Sequence, residues 1–328
     1  MSFFAVLFAL MLEQVKPLPR KNGIHDALVA WVGWAGRSFD AGRDIHAWVV
    51  WCVSVLAPAV AAALLYRLVA LWGDLAALAF DVAVLYLTLG FRQFSHFFTD
   101  IRDAIERGDE MQARSLLAQW QHVDASDLPR TELLRQVIEH SLLAAHRHVF
   151  GVFFWFVVLS AIGLGPAGAV LYRMAEFAAR YWAFKSQALG APAEDRPMAV
   201  AQRAFAWIDH LPARLTAFGF AVVGNFEEAI NGWRRDAGLW QHENDGIILA
   251  AAGGAVGVQL GLTTSGAASD RSTPPAAGVY AIGGGPDPSI SAMAPQQGHL
   301  RGVVGLVWRS VVLWMLLVAL LTLAHLLG

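Results

Sequence analysis

The run at residues 47–72, AWVVWCVSVLAPAVAAALLYRLVALW, carries a single charge, Arg67, and is long enough to cross a bilayer as one helix. Arg67 lies close enough to one end to reach the interface through its methylene stem. A chain holding such a run must place it in lipid or surround it with apolar partners. Composition favours lipid: 56% of the 328 residues are hydrophobic and 15% are charged. Soluble domains carry about 25% charge. Net charge is −2, which leaves no basic footprint and excludes nucleic acid as a partner. The one cysteine, Cys52, excludes an intramolecular disulfide. The bilayer itself is the first partner implied.

Four stretches have membrane character. Residues 2–12 are apolar but short of the ~20 residues of a full span, and the N-terminus lacks the cationic region and cleavage site of a signal peptide. It reads as a retained first segment. Residues 47–72 lead through a Gly73-Asp74 turn into 75–91, a helical hairpin. Residues 303–327 form the last span, with Trp308 and Trp314 suited to an interface.

Segment 149–172 is long enough to cross but ends in GLGPAG, three glycines and a proline at 163–168. A simple crossing there would put Arg173, Arg180, Lys185, Arg196, Arg203 and Arg214 outside, against the tendency of cations to stay cytoplasmic. The same rule places 13–46 and 92–148 in the cytoplasm. The expectation is a broken or re-entrant segment in an all-α polytopic membrane protein with a cytoplasmic helical layer. The organisation reads as 1–91 (N-terminal membrane segments and first cytoplasmic loop), 92–148 (cytoplasmic helices), 149–262 (broken segment and motif core), 263–300 (a flexible Gly/Pro/Ser-rich loop) and 301–328 (the C-terminal helix). Within 92–148, Gly108 separates two helices and Pro129 starts a third with Asp127 as its cap.

Residue chemistry gives few leads. Glu132, Arg135, Glu139 and His146 share a helical stripe, a ladder of ion pairs or the wall of a polar cavity. His140, His146 and His148 have no Cys or carboxylate completing a four-ligand pattern, so no metal centre is read here. Asp81 is an ionisable group inside a hairpin helix, a position that faces protein or a watery cavity. AAAGGAVGVQLGL lacks both phosphate-loop signatures, and its small residues suit close helix approach.

Several stretches together carry a resemblance. GPAGAVLYR (165–173), LPARLTA (211–217) and GGAVGVQLG (253–261), with ERGDEMQAR (106–114) and IEH…FFW (138–155) in the same order, resemble the CobD/CbiB family. The resemblance runs from about 80 to 262. It implies cobalamin biosynthesis: an aminopropanol unit, arriving as its phosphate, is joined as an amide to a carboxylate of adenosylcobyric acid. It further implies ATP and Mg²⁺ as cofactors, a corrinoid substrate and a multi-pass place in the bacterial inner membrane. On this resemblance Glu139 is the catalytic candidate, and Tyr172, Arg173, Arg203 and Arg214 are the substrate-binding ones.

Departures from the family pattern bear on catalysis. An A-E-N run and a following Asp are replaced at Leu142, Leu143, Ala144 and Arg147. An N-x-x-D becomes Glu176 and Ala179, and a paired Asp-Asp becomes Phe205 and Ala206 with Asp209 for a nearby Asn. A Ser-Pro-Asn stretch corresponds roughly to Glu243-Asn244-Asp245. A second resemblance, of residues 12–19 (LEQVKPLP) to an LLEQ–PLP pattern and of IDHLPARL (208–215), is to AmpE-like inner-membrane proteins, which implies a non-enzymatic sensor.

Overall fold

A computed structural model describes residues 2–15, 23–40, 42–121, 125–189, 196–261 and 293–327. Among the described residues the chain is helical apart from one isolated bridge, Val258 to Met293. The helices are α1 (Ser2–Val15), α2 (Gly23–Phe39), α3 (Asp44–Ala70), α4 (Asp74–Thr88), α5 (Phe91–Glu106), α6 (Glu110–Gln121), α7 (Arg130–Ala145), α8 (Gly151–Ala161), α9 (Ala167–Leu189), α10 (Arg196–Val223), α11 (Phe226–Asp236), α12 (Glu243–Val256) and α13 (Gln297–Leu327). Of the loop expected at 263–300, residues 263–292 lie outside the described residues, while Met293 is in the bridge and 297–300 already belong to α13; residues 16–19 of the 12–19 stretch also lie outside.

Three helical stretches are long and apolar enough to cross a membrane: Asp44–Ala70, Arg130–Ala161 and Gln297–Ala324. Large side chains such as Leu64, Leu68, Leu316 and Leu320 stand exposed on them, as lipid-facing residues do. α10 packs between α3 and α13 and also turns Leu211, Phe218 and Val222 outward. The chain is an all-α membrane protein.

Two expectations need correction. The hairpin after 47–72 forms, with Gly73 at φ 109° in its turn, but α4 has only 15 residues. It is too short to match its partner and packs instead on the equally short α1. The cytoplasmic helix expected to end near 148 runs on unbroken, because α7 passes through a π turn at His146–Phe150 into α8. No proline interrupts residues 130–161, so nothing in the backbone stops that helix. At its start, Pro129 rather than Asp127 precedes the first turn, and no side chain caps it.

The break at 162–166 falls where the glycines and proline put it. Gly163 and Gly165 take φ values of 76° and 56°, which side-chain-bearing residues avoid. α9 then returns along α8: Gly168 packs against the Trp155 carbonyl, and the Tyr172 ring fills the space over Gly151. The exposed end of the hairpin is tied to α3, where Arg67 Nε donates to the Gly163 carbonyl at 3.0 Å.

Prolines inside two helices leave carbonyls without a backbone donor, since proline has no N–H to offer residue i−4. Both carbonyls are met by an indole. Trp31 Nε1 donates to Ser54 O (3.3 Å), four residues before Pro58 in α3. Trp155 Nε1 donates to Ile208 O (3.1 Å), four residues before Pro212 in α10. The second contact fixes α10 against α8 beside the cleft described next. The glycine-rich α12 lies close on α11 and α10: Gly254 faces the Glu228 carbonyl and Gly246 the Ala237 carbonyl, with no room for a Cβ. Of the glycines at 253–261, Gly254 makes the close helix approach, Gly253 faces the Val258 carbonyl just past its own helix, and Gly257 and Gly261 serve the turn instead, at φ 74° and 98°.

Candidate functional site

At the foot of the α8–α9 hairpin, α9, α10 and the first turn of α12 enclose a cleft of about 870 Å³. That size falls within the ~300–1,000 Å³ of small-molecule sites. Its floor is a buried hydrogen-bonded group drawn from three helical segments. His146, at the start of the π turn, places Nε2 2.8 Å from Asp209 Oδ1 and Nδ1 2.9 Å from Thr216 Oγ1. Tyr172 of α9 donates its hydroxyl to the same Asp209 Oδ1 at 2.7 Å. His146, Tyr172, Asp209 and Thr216 are all 0–1% exposed, yet Asp209 also lines the cleft. Burying a carboxylate without partners costs several kcal/mol, on the order of 2–7 for even a neutral polar group, so these donors are what keep Asp209 there. π turns widen a helix locally and recur at functional sites.

The walls carry both signs of charge. Arg147 follows His146 in the π turn and reaches Asp245 of α12, its Nη2 lying 2.8 Å from each carboxylate oxygen. Glu176 of α9 pairs with Arg173 (3.1 Å) and Arg180 (3.5 Å). Burial disfavours charge on Glu176, but Arg180 and Arg173 outweigh it and hold the carboxyl down to about 2. At the mouth, Arg214 meets Glu243 at 2.6 Å and Asn244 Oδ1 at 3.3 Å. Asn244 in turn donates to the Ala206 carbonyl at 2.9 Å, joining α12 to α10. Glu243 and Asp245 sit in the first turn of α12, where the helix dipole favours acids. Phe205, Ala206 and the exposed Trp207 give the cleft an apolar side.

The residues expected from sequence divide by position. Tyr172 lies beneath the cleft, bonded to the lining residue Asp209, while Arg173 and Arg214 hold the lining carboxylates Glu176 and Glu243. Arg203 is exposed on α10 and does not line the cleft. Glu139 lies elsewhere: it accepts the Gly261 N–H at 2.8 Å and Arg135 Nη1 at 3.2 Å, while Arg135 also pairs with Glu132. The ion-pair ladder on α7 therefore exists without His146, whose ring turns to α10 instead. His146, Arg147, Asp209 and Asp245 were not read as site residues. His146 had a signal in the stripe that could wall a polar cavity, and the other three, Arg147, Asp209 and Asp245, stand where the family resemblance breaks. The structure joins these departures: Arg147 meets Asp245, and Asp209 meets the residue preceding Arg147.

Comparison with known proteins identifies the family. The family described as CobD/Cbib protein matches residues 4–276. The cobalamin biosynthesis protein CobD of Stutzerimonas stutzeri (strain A1501) is 30% identical over 323 residues, 96% of each chain. The protein of the same name from Chromobacterium violaceum is 32% identical over 188 residues, covering 55% of this chain and 54% of its own. No solved structure matches. Both relatives carry the CobD name, which disfavours the AmpE-like reading. With the match spanning the broken hairpin, the cleft and α12 alike, the chain is a member of the CobD/CbiB family.

Proposed function

We propose that this chain serves cobalamin biosynthesis by joining an aminopropanol unit, delivered as its phosphate, to a carboxylate of adenosylcobyric acid as an amide. The observation that carries this reading is the cleft of mixed charge at the foot of the hairpin, in a chain of the CobD/CbiB family. Its volume suits the small amine partner, with the corrinoid presenting one carboxylate arm at the mouth. The apolar spans and the cation-rich stretch 13–46 support a multi-pass place in the bacterial inner membrane with that stretch cytoplasmic.

Forming the amide calls for an activated carboxylate, and ATP with Mg²⁺ is the co-reactant this reading takes. The lining carboxylates do not make a cage for a bare divalent ion. Glu176, Asp209, Glu243 and Asp245 each face a cation or a hydrogen-bond donor of the protein. Among the described residues no three metal-ligating side chains converge. No step is therefore routed through a protein-held metal. The test is genetic: the chain, expressed in a strain lacking its own synthase, is expected to restore cobalamin-dependent growth on cobyric acid. Continued failure to grow, with the chain present in the membrane fraction, would overturn the reading.

A further inference from the structure

We infer that Asp209 is the group that receives a cationic amine in the cleft, with His146 and Tyr172 as its positioning residues. Among the described residues the hydrogen bonds from its partners go to one oxygen, Oδ1: the Tyr172 hydroxyl donates at 2.7 Å and His146 Nε2 lies at 2.8 Å. Thr216 Oγ1, 2.9 Å from Nδ1, can donate its proton there, which leaves the ring hydrogen on Nε2 and aims it at Asp209. Two donors on Oδ1 lock the rotamer of the Asp209 side chain. Its other oxygen is left for the cleft, which Asp209 lines. A floor of this kind asks for a ligand that brings its own N–H donors and positive charge.

The lining also carries cations that suit an anion. Arg147 commits only Nη2 to Asp245 among the described residues, and Arg180 is half exposed with a 3.5 Å contact to Glu176. Guanidinium groups with open N–H edges suit phosphate oxygens. A carboxylate at the floor and arginines at the wall together fit a short zwitterion, an amine linked to a phosphate monoester. This assignment rests on the reading of the cleft as the amide-forming site, but its test needs no catalysis.

Calorimetric titration of the full chain in nanodiscs, with O-phosphoethanolamine and with ethyl phosphate, separates amine recognition from phosphate recognition. The wild-type chain is expected to bind the amine-bearing ester at least tenfold more tightly. Asp209→Asn keeps the shape and is expected to bring the two affinities within about threefold, leaving ethyl phosphate unchanged. Tyr172→Phe and His146→Gln are expected to lower the preference partway, a change in ratio that general loosening of the fold would not produce. Arg147→Gln is expected to weaken both esters alike. Equal affinity for both esters in the wild-type chain, or a tenfold preference surviving in Asp209→Asn, overturns the inference; if that variant does not fold, an undiminished preference in Tyr172→Phe does so. Failure of the ligase reading looks different: the preference stands, but no amide forms with cobyric acid and ATP.

Discussion

Arg147 and Asp245, 98 residues apart in sequence, form a two-pronged ion pair, one guanidinium nitrogen lying 2.8 Å from both carboxylate oxygens. The pair ties the π turn between α7 and α8 to the first turn of α12, and so closes one wall of the cleft. Its side chains are 31% and 13% exposed, which makes it neither a free surface pair nor a fully dry one.

Removing either partner leaves the other charge partly buried. Arg147→Ala and Asp245→Ala are each expected to cost about 1.5–3 kcal/mol, the range for hydrogen bonds to charged groups. The double variant is expected to lose less than the sum, by about 1–2 kcal/mol of coupling. Thermal unfolding of the four proteins in detergent measures the cycle, and additive losses would show that the pair does not couple its helices.

The indole over Ile208 makes a sharper test, because the carbonyl it serves is orphaned by Pro212. Trp155→Phe is expected to cost about 1–3 kcal/mol for the carbonyl left without a donor, besides the lost contact area. In a Pro212→Ala background the backbone regains a donor at residue 212, and the same Trp155→Phe change is expected to cost about 1 kcal/mol less. Equal losses in both backgrounds, read from denaturant midpoints, would remove the indole from that role.

Two glycines predict opposite signs. A Cβ on Gly168 would press into the Trp155 carbonyl, whereas one on Gly305 meets nothing within 4 Å. Gly168→Ala is expected to destabilise by about 1–3 kcal/mol as α9 is pushed off α8. Gly305→Ala in α13 is expected to be neutral or to stabilise by up to ~1 kcal/mol, the helix-propensity gain. Melting temperatures of the two purified variants decide it.

Glu176 gives a pH dependence. Its carboxyl is lowered in the folded chain to about 2, so its contribution is complete above the ordinary value of 4.5 and is lost as pH falls through that interval. At about 1.4 kcal/mol per unit, the contribution is on the order of 3 kcal/mol. Stability measured from pH 5 down to pH 2 is expected to fall less steeply in Glu176→Gln than in the wild-type chain. Parallel curves would mean that Arg173 and Arg180 do not hold the charge.

Much of the architecture was legible in the residues themselves. The span at 44–70, the turn at Gly73, the break at 163–166 and the close-packed glycines of α12 follow from local requirements: hydrophobic length, positive φ and missing side chains. The same locality explains what was misread. α4 looks apolar enough to cross, but helix length is set by where its ends are satisfied, and it stops at Thr88. Glu139 looked like a site residue by its place in a motif; in space it holds the backbone of Gly261.

What the sequence determined alone is the class of molecule, an α-helical membrane protein of the CobD/CbiB pattern with one segment folded back on itself. Apolar run length, glycine conformation and motif order are properties of neighbours along the chain. Only the tertiary structure decided which charges meet. The partners of Asp209 lie 37 and 63 residues before it, and that of Arg147 lies 98 residues after it. No periodicity encodes such distances. They are fixed by how α8 and α9 fold together and where α10 and α12 close upon them.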